Sequence, residues 1–188
     1  MTSDSLVVLD ACVLVQAPLR DTLLRLAEQP RLYVPRWSDE IIAEAVRNLE
    51  ARIGLSGEKT AYLVGQLRQH FGDCWVTGYE HLIDQMTNHP KDRHVLAAAA
   101  RCGAGVIVTY NKRDFPSVAT EPWGVEIQAP SAFLKDQYDL NPLVVVDKLR
   151  AQARNLGRTL LEQLAVLRKA VPSFVDAICR DLGNDVAT

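Results

Sequence analysis

No two cysteines of the 188-residue chain stand in a C-x-x-C pair; Cys12, Cys74, Cys102 and Cys179 are scattered among apolar neighbours. That spacing argues against a zinc site and gives no disulfide framework, so all four read as free thiols in a reducing compartment. An excess of positive charge is also missing. The 21 lysines and arginines are outnumbered by 23 acidic residues, for a formal net charge of −2. A broad basic field is therefore excluded, and contact with nucleic acid has to come from a local patch. No apolar run approaches the ~20 residues that cross a bilayer. The opening MTSDS lacks a basic region, and the apolar stretch after it is broken by Asp10, so no signal peptide is read and the expected location is the cytoplasm. Neither an internal repeat nor a low-complexity segment is found.

Short apolar runs alternate instead with amphipathic segments of about 10–15 residues, a pattern that predicts a parallel sheet covered by helices on both faces. Leu6 to Leu9 and the VIVT of residues 106–109 read as fully buried strands. RLYVP (31–35) reads as a short strand stopped by its proline, Cys74 to Val76 as another, and VEIQ (125–128) as a fifth. Helices are expected from Pro18, from Ser38 as an N-cap through DEIIAEAVRNLEARI, after Gly57, over GYEHLIDQM, and from Asn88 or His89 to a C′ glycine at Gly103. Pro130 opens one more. From Asn141 onward only helical patterns remain, with Leu156, Leu160, Leu161, Leu164 and Leu167 as an apolar stripe. The division expected is an α/β domain over 1–140 and a helical extension over 141–188, its stripe facing either its own domain or a partner.

Asp10 follows strand Leu6–Leu9 directly, and an ionised carboxylate in such apolar company needs compensation. Strand ends on the carboxyl side of a parallel sheet form the ligand edge. Asp10, Glu44, Asp92 and Asp114 can all reach it, with Thr109 and Asn111 beside them. Converging carboxylates repel one another unless a cation intervenes, and an oxygen-dominated set suits Mg²⁺ or Mn²⁺ better than zinc.

The residues carry more than the periodicity. GYEHLIDQMTNHPKDRHVLAAAARCGAGVIVTYNKRDFP (78–116) resembles the PIN-domain family, in the branch of VapC-type toxins. LDACVL resembles its first motif, with Asp10. WSDEIIAEAVRNL resembles the second, with Glu44. KDRHVLAAA resembles the third, with Asp92, and VTYNKRDFP the fourth, around Asn111 and Asp114. The resemblance spans residues 5 to about 135. It implies a three-layer α/β/α fold and a metal-dependent endoribonuclease, with Asp10, Asp92 and Asp114 on Mg²⁺ or Mn²⁺. Glu44 acts there through a metal-bound water, and Thr109 orients the site. It also implies an antitoxin partner, an RNA substrate and a homodimer. One departure stands out: Asn111 occupies a position that many of these toxins give to an aspartate, so a ligand charge is missing there.

Each residue also has a plainer reading. Asp10 could cap a turn, Asp92 could complement a helix dipole, and Asp114 could be a turn residue before Phe115-Pro116. Glu40, one turn from Glu44, reads as a helix-start acid. The four histidines read as surface or packing residues, His89 at the rim of the site. Lys91, Arg93, Lys112 and Arg113 are either a solvated loop or contacts to RNA phosphates. Two other functions compete. One is an inactive binding module of the same fold working through its helical extension. The other is an aspartate-centred phosphotransfer enzyme, against which Cys12 stands where a haloacid-dehalogenase-type phosphatase needs a second aspartate.

Overall fold

The computed structural model describes residues 4–185. Its sheet has four parallel strands in the order β2-β1-β3-β4, formed by β1 (Leu6–Leu9), β2 (Val34–Arg36), β3 (Val106–Val108) and β4 (Glu126–Gln128). Val7, Val8 and Leu9 of β1 pair with Val106, Ile107 and Val108 of β3 in register. All but Val106, which is 7% exposed, are fully buried. A fully buried aliphatic side chain contributes roughly 1.5–3 kcal/mol, so this central pair, apolar on both faces, anchors the sheet. The parallel α/β architecture expected from the alternating pattern is present.

Helices α1 (Ala11–Leu14) and α2 (Ala17–Ala27) lead from β1 to β2. The next crossover carries α3 (Asp39–Asn48), α4 (Gly57–His70) and α5 (Arg93–Cys102) before β3. Then come α6 (Ser117–Thr120), β4, α7 (Pro130–Leu140), α8 (Pro142–Asn155), α9 (Leu160–Leu167) and α10 (Pro172–Asp185). Local chemistry explains the ends. The Ser38 hydroxyl accepts from the Ile41 amide to cap α3. Gly103 closes α5 at φ +70°, a backbone state that glycine adopts without strain. Thr159 and Glu162 form a reciprocal capping box on α9.

Four details differ from the sequence reading. The strand expected to stop at Pro35 runs through it, because β2 is an edge strand where a missing N–H breaks no ladder. Residues 74–76 make only a single bridge, Trp75 to Trp37. The segment over 80–85 is 3₁₀ rather than α. The α3 helix widens into a π-turn over Leu49–Ile53 before Gly54 at φ +73°.

The C-terminal helices pack on their own chain. Val145, Leu149, Leu164, Leu167, Phe174 and Ile178 join the same core as the sheet. Polar ties run alongside: the buried Thr22 hydroxyl donates to Gln152 Oε1 at 2.9 Å, and Lys148 Nζ to the carbonyls of Glu28 and Gln29. The expected leucine stripe is split. Leu164 and Leu167 are buried, whereas Leu156 and Leu161 are exposed.

Candidate metal centre and active site

The strand order reverses direction between β1 and β3, which leave the sheet centre toward opposite edges. Such a switch point opens a crevice outside the carboxyl ends of the two strands. Asp10 stands at the end of β1 and Thr109 at the end of β3.

Asp10 is 2% exposed and well supplied with donors. Its Oδ1 accepts from the Ala11 amide at 2.7 Å, so it also caps the short helix α1. Its Oδ2 accepts from the Thr109 hydroxyl at 2.6 Å and from the Cys12 thiol at 3.2 Å. The Thr109 oxygen in turn accepts from the Asn111 amide at 2.9 Å, and the Cys12 sulfur accepts from the Tyr110 amide at 3.3 Å. Hydrogen bonds to the charged form thus provide much of the compensation that a buried carboxylate requires. Burial pushes the Cys12 thiol up to about 12, with Asp10 adding to the effect.

Asp92 ends the 3₁₀ turn Pro90–Asp92 that leads into α5, and is 7% exposed. Asp114 ends a second 3₁₀ turn, Lys112–Asp114. The His89 amide donates to the Asp114 carbonyl at 2.9 Å and so ties the two turns together. One ligand atom each from His89, Asp92 and Asp114 lies within 4.8 Å of the others. His89 Nδ1 is 3.5 Å from Asp92 Oδ2. Burial raises the Asp92 carboxyl to about 6, and the charges of Asp10, Asp114 and Glu44 push the same way against a smaller opposing effect of His89. Four carboxylates therefore share one electrostatic site. Crowded oxygen ligands with one imidazole match the donor set of a hard divalent cation, and a cation would relieve the repulsion that Asp92 registers.

Glu44 projects from the middle of α3, half-buried, with Oε2 3.8 Å from Nε2 of the buried His94. Glu40, one turn earlier, approaches the other imidazole nitrogen at 3.9 Å. Asn111 is exposed, and its backbone rather than its side chain joins the Thr109 network. Among the basic residues, Lys91, Lys112 and Arg113 are exposed on the two turns, while half-buried Arg93 donates from Nε to the Asn88 carbonyl at 3.4 Å.

Three residues at this edge escaped the sequence reading. His89, expected at the rim, stands with Asp92 and Asp114 in a group that could hold a metal ion; its His-x-x-Asp spacing to Asp92 is the available signal. Cys12, read as a core thiol, bonds to the Asp10 carboxylate two residues before it. His94, read as packing within its helix, faces both glutamates of α3. Trp37 is fully buried and stacks edge-on with Trp75, as a core residue does.

Against known proteins, no family model matches the chain. The chain is 41% identical over 105 residues to "Putative ribonuclease VapC50" of Mycobacterium tuberculosis (strain ATCC 25618 / H37Rv), a match that covers 48% of this chain and 59% of the relative. The chain thus spans about three fifths of the length of the curated relative it matches. A parallel α/β sheet and an acidic cluster at its switch point accompany this similarity to a protein named as a ribonuclease.

Proposed function

We propose that this protein is a metal-dependent endoribonuclease, the toxin of a type II toxin–antitoxin pair, hydrolysing RNA phosphodiesters in the cytoplasm. The observation that carries the reading is the convergence of Asp10, Glu44, Asp92 and Asp114 on one crevice, registered by the raised Asp92 carboxyl. Similarity to a protein named as a ribonuclease supports it.

Asp10, Asp92 and Asp114 would hold Mg²⁺ or Mn²⁺, with Glu44 acting through a bound water and His89 within reach. When bound, such an ion supplies a water of lowered pKa and stabilises charge on the leaving oxygen. Thr109 fixes the Asp10 carboxylate through their hydrogen bond, so that ligand is preorganised. Glu44 would hold that water or help to activate it as the nucleophile. Lys91, Arg93, Lys112 and Arg113 flank the acids and would engage substrate phosphates on either side. Residues 1–140 carry this chemistry, with 141–188 as a helical extension. RNA and an antitoxin protein are the proposed partners, with a homodimer as the working state.

The test is incubation of purified, antitoxin-free protein with total cellular RNA and Mg²⁺ or Mn²⁺, beside Asp10→Asn and EDTA controls. Discrete fragments from the wild type alone are expected. Absence of cleavage by folded protein with either ion would overturn the reading in favour of an inactive binding module, for which the uncharged Asn111 is the motif departure.

A further inference from the structure

Beside the acidic centre lies a concavity of about 320 Å³ lined by Glu40, Glu44, Arg47, Asn48, Lys91 and His94, of which the chemistry above uses only Glu44 and Lys91. Helix α3 supplies the first four at positions i, i+4, i+7 and i+8, which share one helical face. The Pro90–Asp92 turn adds Lys91, and the first turn of α5 adds His94. Glu44 belongs to both places: it lines this pocket and also acts on the charge of Asp92. Whatever fills the pocket therefore sits next to the reacting centre.

The wall has unspent hydrogen-bonding capacity. His94 is 6% exposed, and its Nε2 has no hydrogen-bond partner among the described residues. Glu44 Oε2 stands 3.8 Å from it and Glu40 Oε1 stands 3.9 Å from the other ring nitrogen, both beyond hydrogen-bond reach. A buried polar atom left in this state is costly, and a ligand that reaches it removes the cost. Asn48 spends its Nδ2 on the Glu44 carbonyl at 3.1 Å, which leaves its Oδ1 to accept. Arg47 and Lys91 are exposed cations on the rim, with no side-chain partner among the described residues. Two cations, an amide, an imidazole and two carboxylates do not suit an apolar ligand, and cations on the rim do not suit a second metal ion. They suit a molecule with an anionic group at one end and hydrogen-bonding edges at the other. At about 320 Å³ the pocket lies at the small end of ligand sites, which span about 300–1,000 Å³.

We propose that this pocket is a ribonucleotide subsite, resting on the ribonuclease reading, that holds one nucleotide beside the cleaved phosphodiester and reads its base. Arg47 and Lys91 pair with its phosphate, His94 Nε2 meets a ribose hydroxyl, and Asn48 with Glu40 faces the base edge. The ribose contact distinguishes RNA from DNA at this position.

The experiment is an NMR titration of the full-length protein in Mg²⁺ with the four ribonucleoside 5′-monophosphates and their 2′-deoxy forms, following the His94 imidazole signals. At least one ribonucleotide is expected to shift those signals and to bind more tightly than its deoxy form. Arg47→Ala, a change at an exposed side chain, is expected to weaken that nucleotide about tenfold, with Mn²⁺ affinity at the acidic centre retained. Asn48→Ala is expected to flatten the preference among bases. Unmoved His94 signals, or nucleotide affinities equal in wild type and both variants, would overturn the subsite. A wild type that cleaves RNA while giving that result keeps the ribonuclease reading and loses the pocket. Nucleotide binding at His94 by a protein that cleaves no RNA supports the pocket as a nucleotide site and removes the nuclease reading.

Discussion

The Thr109 hydroxyl donates to Asp10 Oδ2 at 2.6 Å across the β1/β3 seam, between residues 99 positions apart in the chain. Both are almost fully buried. The bond is the closing contact of the switch point: it joins the ends of the two central strands and fixes which oxygen of Asp10 is spent inward. Since the same hydroxyl accepts from the Asn111 amide, it also sets the start of the loop that carries Asp114.

Thr109→Val keeps the shape of the side chain and removes that donor. The Asp10 carboxylate is then left with the Ala11 amide and the weak Cys12 thiol. Leaving a buried acceptor short of a donor costs about 1–3 kcal/mol. Denaturant unfolding in EDTA is expected to show that loss, with an unchanged m-value. Stability within about 0.5 kcal/mol of wild type, the range of a neutral surface change, would contradict it.

Asp92→Asn separates the cost of the acidic cluster from its use. The substitution removes a buried charge pressed by three neighbouring carboxylates, so the metal-free protein is expected to melt at the same temperature or higher at pH 7. An ion bound only by the folded state stabilises it by about 2.7 kcal/mol at a hundredfold excess over Kd. Wild type is therefore expected to rise in melting temperature with Mn²⁺, and Asp92→Asn to lose most of that rise. Equal Mn²⁺ stabilisation in the two proteins would place the ion elsewhere.

The same carboxyl sets a pH dependence. Its folded value of about 6 lies above the ordinary aspartate value of about 3.9, so between these the folded state holds more protons than the unfolded one. Stability contributed by Asp92 is then highest below pH 4 and falls as pH rises toward 6, flattening above it. Unfolding free energies measured in EDTA across that window, wild type minus Asp92→Asn, are expected to show this fall. A divalent cation favours the ionised form and is expected to flatten or reverse it. A wild-type-minus-variant difference that climbs with pH in EDTA would refute the assignment.

Much of the site edge was legible before folding. Leu6–Leu9 and Val106–Val108 are uniformly apolar because the central strands are covered on both faces, and a carboxylate at the end of such a strand stands out. Caps such as Ser38 and Gly103 are local chemistry and read equally well. What escaped depends on tertiary position. Pro35 sits inside β2 only because that strand is at the edge, which no short window reports. His89 joins Asp92 and Asp114 because two 3₁₀ turns meet through its amide, about 25 residues apart in the chain. His94 faces Glu40 and Glu44 because α5 packs against α3, whereas its own helix shows only an alanine-rich face.

Cys12 offers a test of the buried network that needs no catalysis. It lies half-buried, with Asp10 and Thr109 on its sulfur, and its thiol is pushed up to about 12, first by burial and then by the Asp10 charge. The thiolate is the reactive form, and an ordinary cysteine titrates near about 8.5. At pH 8 the folded protein therefore carries roughly a thousandfold less Cys12 thiolate than an ordinary thiol. Alkylation by iodoacetamide, read by mass spectrometry on the Cys12 peptide, is expected to be slower by at least about a hundredfold in the folded protein than in urea. Asp10→Asn is expected to speed it, since that change removes the neighbouring negative charge. Labelling as fast in the folded chain as in the unfolded one would mean that the Asp10–Cys12–Thr109 arrangement opens in solution, and with it the preorganisation assigned to Asp10.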